Sequence, residues 1–81
     1  MKSERELLVQ QERVTREVTE LICKWMDERN VTLSELASRL GKTGSYVTQL
    51  LDGQYNITIR TISDVFAVLG ATINFRTEPL L

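Results

Sequence analysis

Residues 41–56, GKTGSYVTQLLDGQYN, set hydrogen-bonding side chains around a small apolar group. Successive helix residues lie about 100° apart, so Val47 and Leu50 fall on one side of a helix and Ser45 and Gln49 on the opposite side. Hydroxyl and carboxamide groups both donate and accept hydrogen bonds. The spacing predicts a helix that is held by its apolar side and offers its polar side to a ligand.

The polar side chains of this helix are of types that recognise the edges of DNA bases. Gln49 can form two hydrogen bonds with adenine, and Ser45 and Thr48 can bond to several bases. Gly44 lies in the first turn, where backbone can approach a ligand closely and helix-terminal N–H groups can bind a phosphate. We predict that Gly44, Ser45, Thr48 and Gln49 read bases. The alternatives are a simple helix start for Gly44 and a solvated surface side chain for Gln49.

Catalytic and metal chemistry are disfavoured by residue types that are missing. The sequence has no histidine, so the usual proton shuttle at neutral pH and the usual nitrogen ligand are both absent. Cys23 is the single cysteine and has neither a disulfide partner nor an imidazole to activate it. Carboxylate pairs such as Glu17 and Glu20 are typical of a solvated helix surface. We expect no enzyme activity, no metal and no cofactor.

Size and charge limit the classes of protein to which the chain can belong. Its 81 residues suit one domain with a single core, and its 42% hydrophobic and 26% charged residues are ordinary for a globular protein. No apolar run approaches the ~20 residues that span a bilayer, and the start, MKSERELLVQQE, is unlike a secretory signal. We expect a cytoplasmic protein without membrane contact. Because the net charge is -1, any nucleic-acid site must be local.

Four helices are predicted to position these residues. The first is long and amphipathic and runs from Glu4 to Arg29, without proline or glycine, to an end at Asn30. Each of three shorter helices follows a threonine that can cap it: Thr32, Thr43 and Thr58. Each is stopped by a glycine: Gly41, Gly53 and Gly70.

The predicted core comes from the apolar side of each helix. The residues assigned to it beyond position 14 are Val18, Leu21, Ile22, Trp25, Met26, Leu33, Leu36, Ala37, Leu40, Val47, Leu50, Leu51, Ile59, Ile62, Val65, Phe66 and Leu69. Cys23 is interpreted as a small, buried or half-buried apolar residue. Gln11 interrupts the apolar stripe, so residues 4–14 are expected to project from the core or to meet a partner.

The period of the apolar residues changes after Gly70. In ATINFR, Ile73 and Phe75 alternate with polar residues, which predicts a half-buried strand that ends at Pro79. Because no second strand is predicted, the simplest partner is the same strand of another copy. We therefore predict a homodimer with Ile73 and Phe75 at its interface, and the long first helix is the alternative interface.

Two short helices joined by a glycine-containing turn, the second polar on its outer side, describe a helix-turn-helix. Residues 18–70 resemble this domain in the Xre family of phage-repressor-like regulators. The resemblance is carried by Leu36, Ala37, Gly41, Val47, Leu50, Gly53 and the closing Leu69 and Gly70. It implies an all-α, compact four-helix lambda-repressor-like domain with core 18–70, a helical extension at 1–17, and a short carboxy-terminal β-strand and tail at 71–81.

The resemblance also implies a mode of DNA binding. In that family the third helix enters the major groove, and the flanking turns and helix starts contact phosphates. The matching phosphate-binding residues here are Thr32, Lys42, Thr43, Gln54, Tyr55, Asn56 and Arg60. Tyr46 either adds a phosphate contact or packs its ring against the second helix. Leu33 replaces a glutamine common in the family and Asp52 would repel phosphate, so binding should depend on two subunits.

These observations favour a dimeric, sequence-specific DNA-binding repressor. The tail LGATINFRTEPLL also resembles the ends of small Xre-type antitoxins, which implies a toxin protein as a further partner. The alternative is a protein-interaction module that keeps this fold without binding DNA. The acidic balance and Leu33 motivate that alternative.

Overall fold

The computed structural model describes residues 2–53 and 56–80, which contain four α-helices. They are α1, Glu4–Arg29; α2, Leu33–Leu40; α3, Gly44–Leu51; and α4, Ile59–Val68. The helical prediction is confirmed. None of these helices combines the length and the apolar character that a membrane span requires.

The four helices begin in the same way. A hydroxyl oxygen of Ser3, Thr32, Thr43 or Thr58 accepts a hydrogen bond from the backbone N–H three residues later, at 3.1 to 3.2 Å. At α2 the Glu35 carboxylate also accepts from the Thr32 N–H, which completes a capping box. Each such cap typically contributes ~1 kcal/mol. Local hydrogen bonding therefore defines where each helix starts.

One hydrophobic core lies between the helices. α2 packs against α3 and α4, and α1 packs against the same two helices. The core consists of Ile22, Met26, Val31, Leu36, Ala37, Val47, Leu50, Ile62, Val65, Phe66 and Leu69. Ten of these eleven, all except Val31, belong to the predicted set. The core therefore begins at Ile22 and leaves most of α1 outside it.

Two predicted core residues at helix starts lie on the surface. Leu33 is 42% exposed and Ile59 is 74% exposed, and they are the first residues of α2 and α4. A first helical residue lies at the edge of the packed stripe, where the neighbouring helix does not cover it. The prediction of burial was wrong for both residues.

Three residues of α1 are also less buried than predicted. Trp25 is half-buried at the edge of the core, with the Arg29 guanidinium carbon 5.0 Å from its ring centroid. Leu21 and Cys23 are exposed. The side of α1 that enters the core is defined by Thr19, Ile22 and Met26, and Leu21 and Trp25 lie about a quarter turn or more away from it.

The amino-terminal half of α1 projects from the domain. A 26-residue helix is about 39 Å long, which is close to the longest dimension of the molecule, 42 × 24 × 20 Å. The first buried residue of α1 is Thr19. Gln11 predicted this exposure, because it interrupts the apolar stripe in the projecting half.

The predicted carboxy-terminal strand is absent from the single chain. Residues 71–80 have no regular secondary structure, and no strand occurs elsewhere in 2–53 or 56–80. A strand needs hydrogen bonds to a neighbouring strand, and the chain supplies none. Ile73 nevertheless packs against the core whereas Phe75 is 71% exposed. The segment leaves the domain with its apolar side chains only partly covered.

Candidate nucleic-acid interface

The turn between α2 and α3 is short and is closed by backbone hydrogen bonds. Gly41 adopts φ +68°, a left-handed conformation that favours glycine. Its N–H donates to the Ser38 carbonyl at 3.1 Å, and the Lys42 N–H donates to the Ala37 carbonyl at 2.9 Å. Thr43 then caps α3. This geometry turns the chain over residues 41–43 and brings α3 back against α2.

α3 is anchored to the core by its apolar side. Val47 and Leu50 are fully buried, and Leu51 is half-buried against the core. Ser45 and Thr48 are exposed on the outer side. The orientation predicted from helical spacing is thus observed.

Gln49 and Gly44 occupy different environments on this helix. Gln49 is half-buried, unlike a fully solvated surface glutamine. Gly44 is exposed, and a Cβ built on it would meet no atom within 4 Å. Space around Gly44 is therefore available to a ligand that approaches the first turn of α3.

A shallow hollow of about 690 Å³ lies between the turn and the start of α3. Its lining includes Gly41, Lys42, Thr43, Ser45, Tyr46 and Gln49. It is lined by the positively charged residue Lys42 and lies beside the amino-terminal end of α3, where the helix dipole is positive. The hollow therefore combines features that attract an anion with two residues predicted to read bases.

Tyr46 connects the core with the cation in the hollow. Its half-buried side chain packs against the core, which supports the ring-packing interpretation. The Lys42 ammonium nitrogen lies 5.4 Å from the centroid of the same ring. Such a cation–π contact restricts the lysine side chain. Tyr46 thus positions Lys42 at the hollow.

The predicted phosphate-binding residues are not all brought together. Lys42 and Thr43 line the hollow, whereas Thr32, Asn56 and Arg60 are exposed and are not among its lining residues. Gln54 and Tyr55 lie outside the described residues. The hollow is therefore the part of the predicted phosphate surface that the structure assembles.

Thr32 and Thr43 differ in whether their hydroxyl groups are available to donate a hydrogen bond to a phosphate. The Thr32 hydroxyl donates to the Glu35 carboxylate at 3.2 Å, so a phosphate would compete with a negatively charged acceptor for its proton. The Thr43 oxygen accepts from the Tyr46 N–H at 3.1 Å, and this cap leaves the hydroxyl able to donate. The geometry favours Thr43 over Thr32 as a phosphate ligand.

Two contributions near this surface were not predicted from the sequence. Gly41 was assigned only a helix-stopping role, yet it also lines the hollow. Arg39 was not singled out, and its Nη1 donates to the Val68 carbonyl at 3.2 Å while its Nη2 lies 3.8 Å from the Glu35 carboxylate. Arg39 therefore ties α2 to α4. The position of Arg39, shortly before the turn at Gly41, was the sequence feature that could have drawn attention to it.

The two glycines that flank the turn are expected to respond oppositely to alanine. Gly41→Ala should lower the free energy of unfolding by about 1–2 kcal/mol, because a side chain disfavours positive φ. Gly44→Ala should leave stability unchanged or raise it by up to about 1 kcal/mol, since Gly44 is helical and a Cβ has room. Chemical denaturation measures both changes. If Gly44→Ala weakens DNA binding without loss of stability, backbone approach at this turn is supported; unchanged binding would contradict it.

Comparison with known protein families gives one match. The sequence model described as Helix-turn-helix matches residues 24–75, which is more than half of the chain. No curated protein and no solved structure gives a significant match. The matched region contains α2, the turn, α3 and α4.

Proposed function

Because this chain belongs to the Xre-like helix-turn-helix family of DNA-binding transcription regulators, we propose that it is a sequence-specific repressor whose α3 enters the major groove. Ser45, Thr48 and Gln49 read base edges, and Lys42 and Thr43 hold a phosphate beside the start of α3. The function is binding without catalysis. The observation that carries the proposal is the outward side of α3, which adjoins the cationic hollow.

Anchoring supports the base-reading role. A side chain discriminates between bases only if its backbone is held in one position, and Val47 and Leu50 hold α3 through the core. Gly44 leaves room for close approach. Base contacts then supply specificity, and Lys42 with Arg60 supplies affinity that does not depend on sequence.

The proposed repressor acts as a homodimer near its own gene. Few cations are found on the proposed surface, and Asp52 is exposed at the end of α3. Affinity for each half-site is therefore modest, and two linked subunits provide the affinity that one lacks. The apolar side chains left exposed at Phe75 and Leu80 support self-association.

Base and phosphate contacts should be separable by substitution. Gln49→Ala should weaken operator binding by about 1–3 kcal/mol and relax preference at one base pair of each half-site, because a bidentate contact with a base is lost. Lys42→Ala and Arg60→Ala should weaken binding to all sequences alike. Each should reduce the slope of log affinity against log salt concentration by about one unit.

The experiment titrates the upstream region of the gene and a scrambled duplex at several salt concentrations. Ser38→Ala on α2 is a matched control, because it removes an exposed polar side chain outside the hollow lining. Equal losses on both duplexes for Gln49→Ala would remove it from the base-reading role. A parent protein that prefers no duplex would instead favour a protein-interaction module with this fold.

The resemblance of the tail to small antitoxins adds a narrower version of the proposal. In that version the repressor also binds a toxin encoded beside it. Coexpression with the neighbouring open reading frame and purification of the complex tests this version. Absence of a copurifying small protein would leave the repressor without an antitoxin role.

A further inference from the structure

The projecting half of α1 exposes apolar side chains in several directions. Leu7, Leu8 and Val9 are 50%, 53% and 60% exposed, and three consecutive helix residues extend over about 200° of the circumference. Most helical stability in proteins comes from tertiary packing of an apolar face, and these three side chains are at least half exposed. Burial of these side chains therefore needs a partner that contacts the segment on more than one side.

A seam for a second helix runs along α1. Leu7, Gln11, Val14, Val18, Leu21 and Trp25 follow the alternating spacing of four and three residues that coiled coils use. Val14 and Leu21 are exposed, and Val18 is half-buried. Gln11 is the one polar member, and a polar residue at such a position selects a register. The seam therefore fits another helix with a defined alignment.

Leu7, Val14 and Leu21 of the seam are exposed, whereas Val18 and Trp25 are half-buried against the core. The core-facing line of α1 is formed by Thr19, Ile22 and Met26. Helical geometry places the seam roughly 90° away from that line. A second helix can therefore dock on α1 while α3 and α4 remain packed against it.

The carboxy-terminal segment begins beside the opposite end of α1. A Cβ built on Gly70 would lie 3.3 Å from the Arg29 Nη1 atom, which places the start of the segment next to the last turn of α1. Beyond it, Phe75 and Leu80 are 71% and 57% exposed. Each chain thus has uncovered apolar residues at the amino-terminal end of α1 and in the segment that begins beside its other end.

We propose that α1 pairs antiparallel with α1 of a second copy, so that each carboxy-terminal segment covers the partner's projecting amino-terminal half. A twofold axis near Val18, midway between Leu7 and Arg29, brings one chain's Arg29 end alongside the other chain's Leu7, Leu8 and Val9. Both contacts form at once, as an isologous interface requires. A parallel pair would instead leave Leu8 and Val9 away from both domains.

The available area is adequate for such a dimer. The incompletely covered side chains are Leu7, Leu8, Val9, Val14, Leu21, Phe75 and Leu80. Burying the exposed part of each would remove roughly 400 Å² of apolar surface per copy. With about 60% apolar area, the interface would approach 700 Å² per copy, near the ~800 Å² of standard complexes.

This inference rests on the proposed homodimer and adds its geometry; it does not depend on the DNA contacts. Disulfide crosslinking tests that geometry. In a Cys23→Ser background, chains with Leu7→Cys are mixed with chains with Phe75→Cys and oxidised. The expected product is a mixed dimer of the two variants, which mass spectrometry identifies. A Leu7–Leu7 crosslink without the mixed product would indicate a parallel pair and overturn the proposal.

Sedimentation gives an independent readout. Leu7→Glu combined with Val14→Glu should convert the dimer to a monomer, whereas Arg16→Glu, opposite the seam, should leave it a dimer. Circular dichroism checks the fold, which these exposed positions should not alter. A parent that is monomeric would overturn both this inference and the proposed dimer. A dimer that survives the double substitution and gives no mixed crosslink would overturn this inference alone.

Discussion

Replacing Phe66 with alanine lowers the free energy of unfolding by about 3–5 kcal/mol, the typical cost of removing a buried aromatic side chain. Phe66 is 3% exposed and lies on the inward side of α4. A chain of 81 residues has a total stability of about 4–12 kcal/mol. The substitution therefore removes a large share of that stability, and urea denaturation followed by circular dichroism measures it.

Trp25→Ala is the matched comparison for this prediction. Trp25 is larger than Phe66 but is half-buried at the edge of the core, where it stacks with Arg29. Its loss should destabilise the domain clearly less than the loss of Phe66. Equal destabilisation by the two substitutions would mean that Trp25 supports the core more than its burial indicates.

A monomeric variant binds the complete operator about 10²- to 10⁴-fold more weakly than the parent, because the second subunit no longer binds at a high effective concentration. The variants are the Leu7→Glu and Val14→Glu double substitution and a chain truncated after Asn74, which keeps Ile73 against the core and removes Phe75 and Leu80. Neither changes the proposed DNA surface. Mobility-shift titrations on the complete operator and on a single half-site measure the effect.

Half-site binding is the control in this experiment. The parent and the monomeric variants should bind one half-site with similar affinity, because α3 and Lys42 are unchanged. Equal affinity of the monomeric variants and the parent for the complete operator would contradict dimeric binding. Loss of half-site binding would show instead that the substitutions reach the DNA surface.

The helix boundaries were predictable because local chemistry determines them. Thr32, Thr43 and Thr58 satisfy backbone N–H groups that lie within three residues of them. At the other ends, Asn30 and Gly41 adopt positive φ. Each of these helix boundaries is determined by residues that are close together in the sequence. Each can therefore be inferred from residue type and spacing alone.

Burial at the domain edges was less predictable because it depends on which helix lies alongside. Ile59 continues the apolar stripe of α4 but no other helix covers it. Trp25 fits the α1 stripe, yet the core-facing line runs through Ile22 and Met26. The prediction of a strand at Ile73 and Phe75 was wrong for a related reason. Alternation of apolar and polar residues indicates a strand only where a pairing partner exists.

The candidate site also has some features that could be predicted from the sequence and others that could not. The outward direction of Ser45 and Thr48 follows from their spacing relative to Val47 and Leu50, and the sequence predicted it. The hollow does not follow from spacing, because it requires the three-dimensional path of the turn and the contact between Lys42 and Tyr46. Roles in DNA recognition remain predictions for all these residues.

The cap at Thr43 and the anchoring of Val47 and Leu50 have a kinetic consequence. Since α3 is already a complete helix in the free chain, the proposed binding to the major groove would need no folding step before contact. Association is then governed by diffusion and charge, as for preformed interfaces. We therefore expect differences in affinity among operator sequences to arise from the lifetime of the complex: a mismatched site should be found as quickly as a matched one, and the protein should dissociate from it sooner.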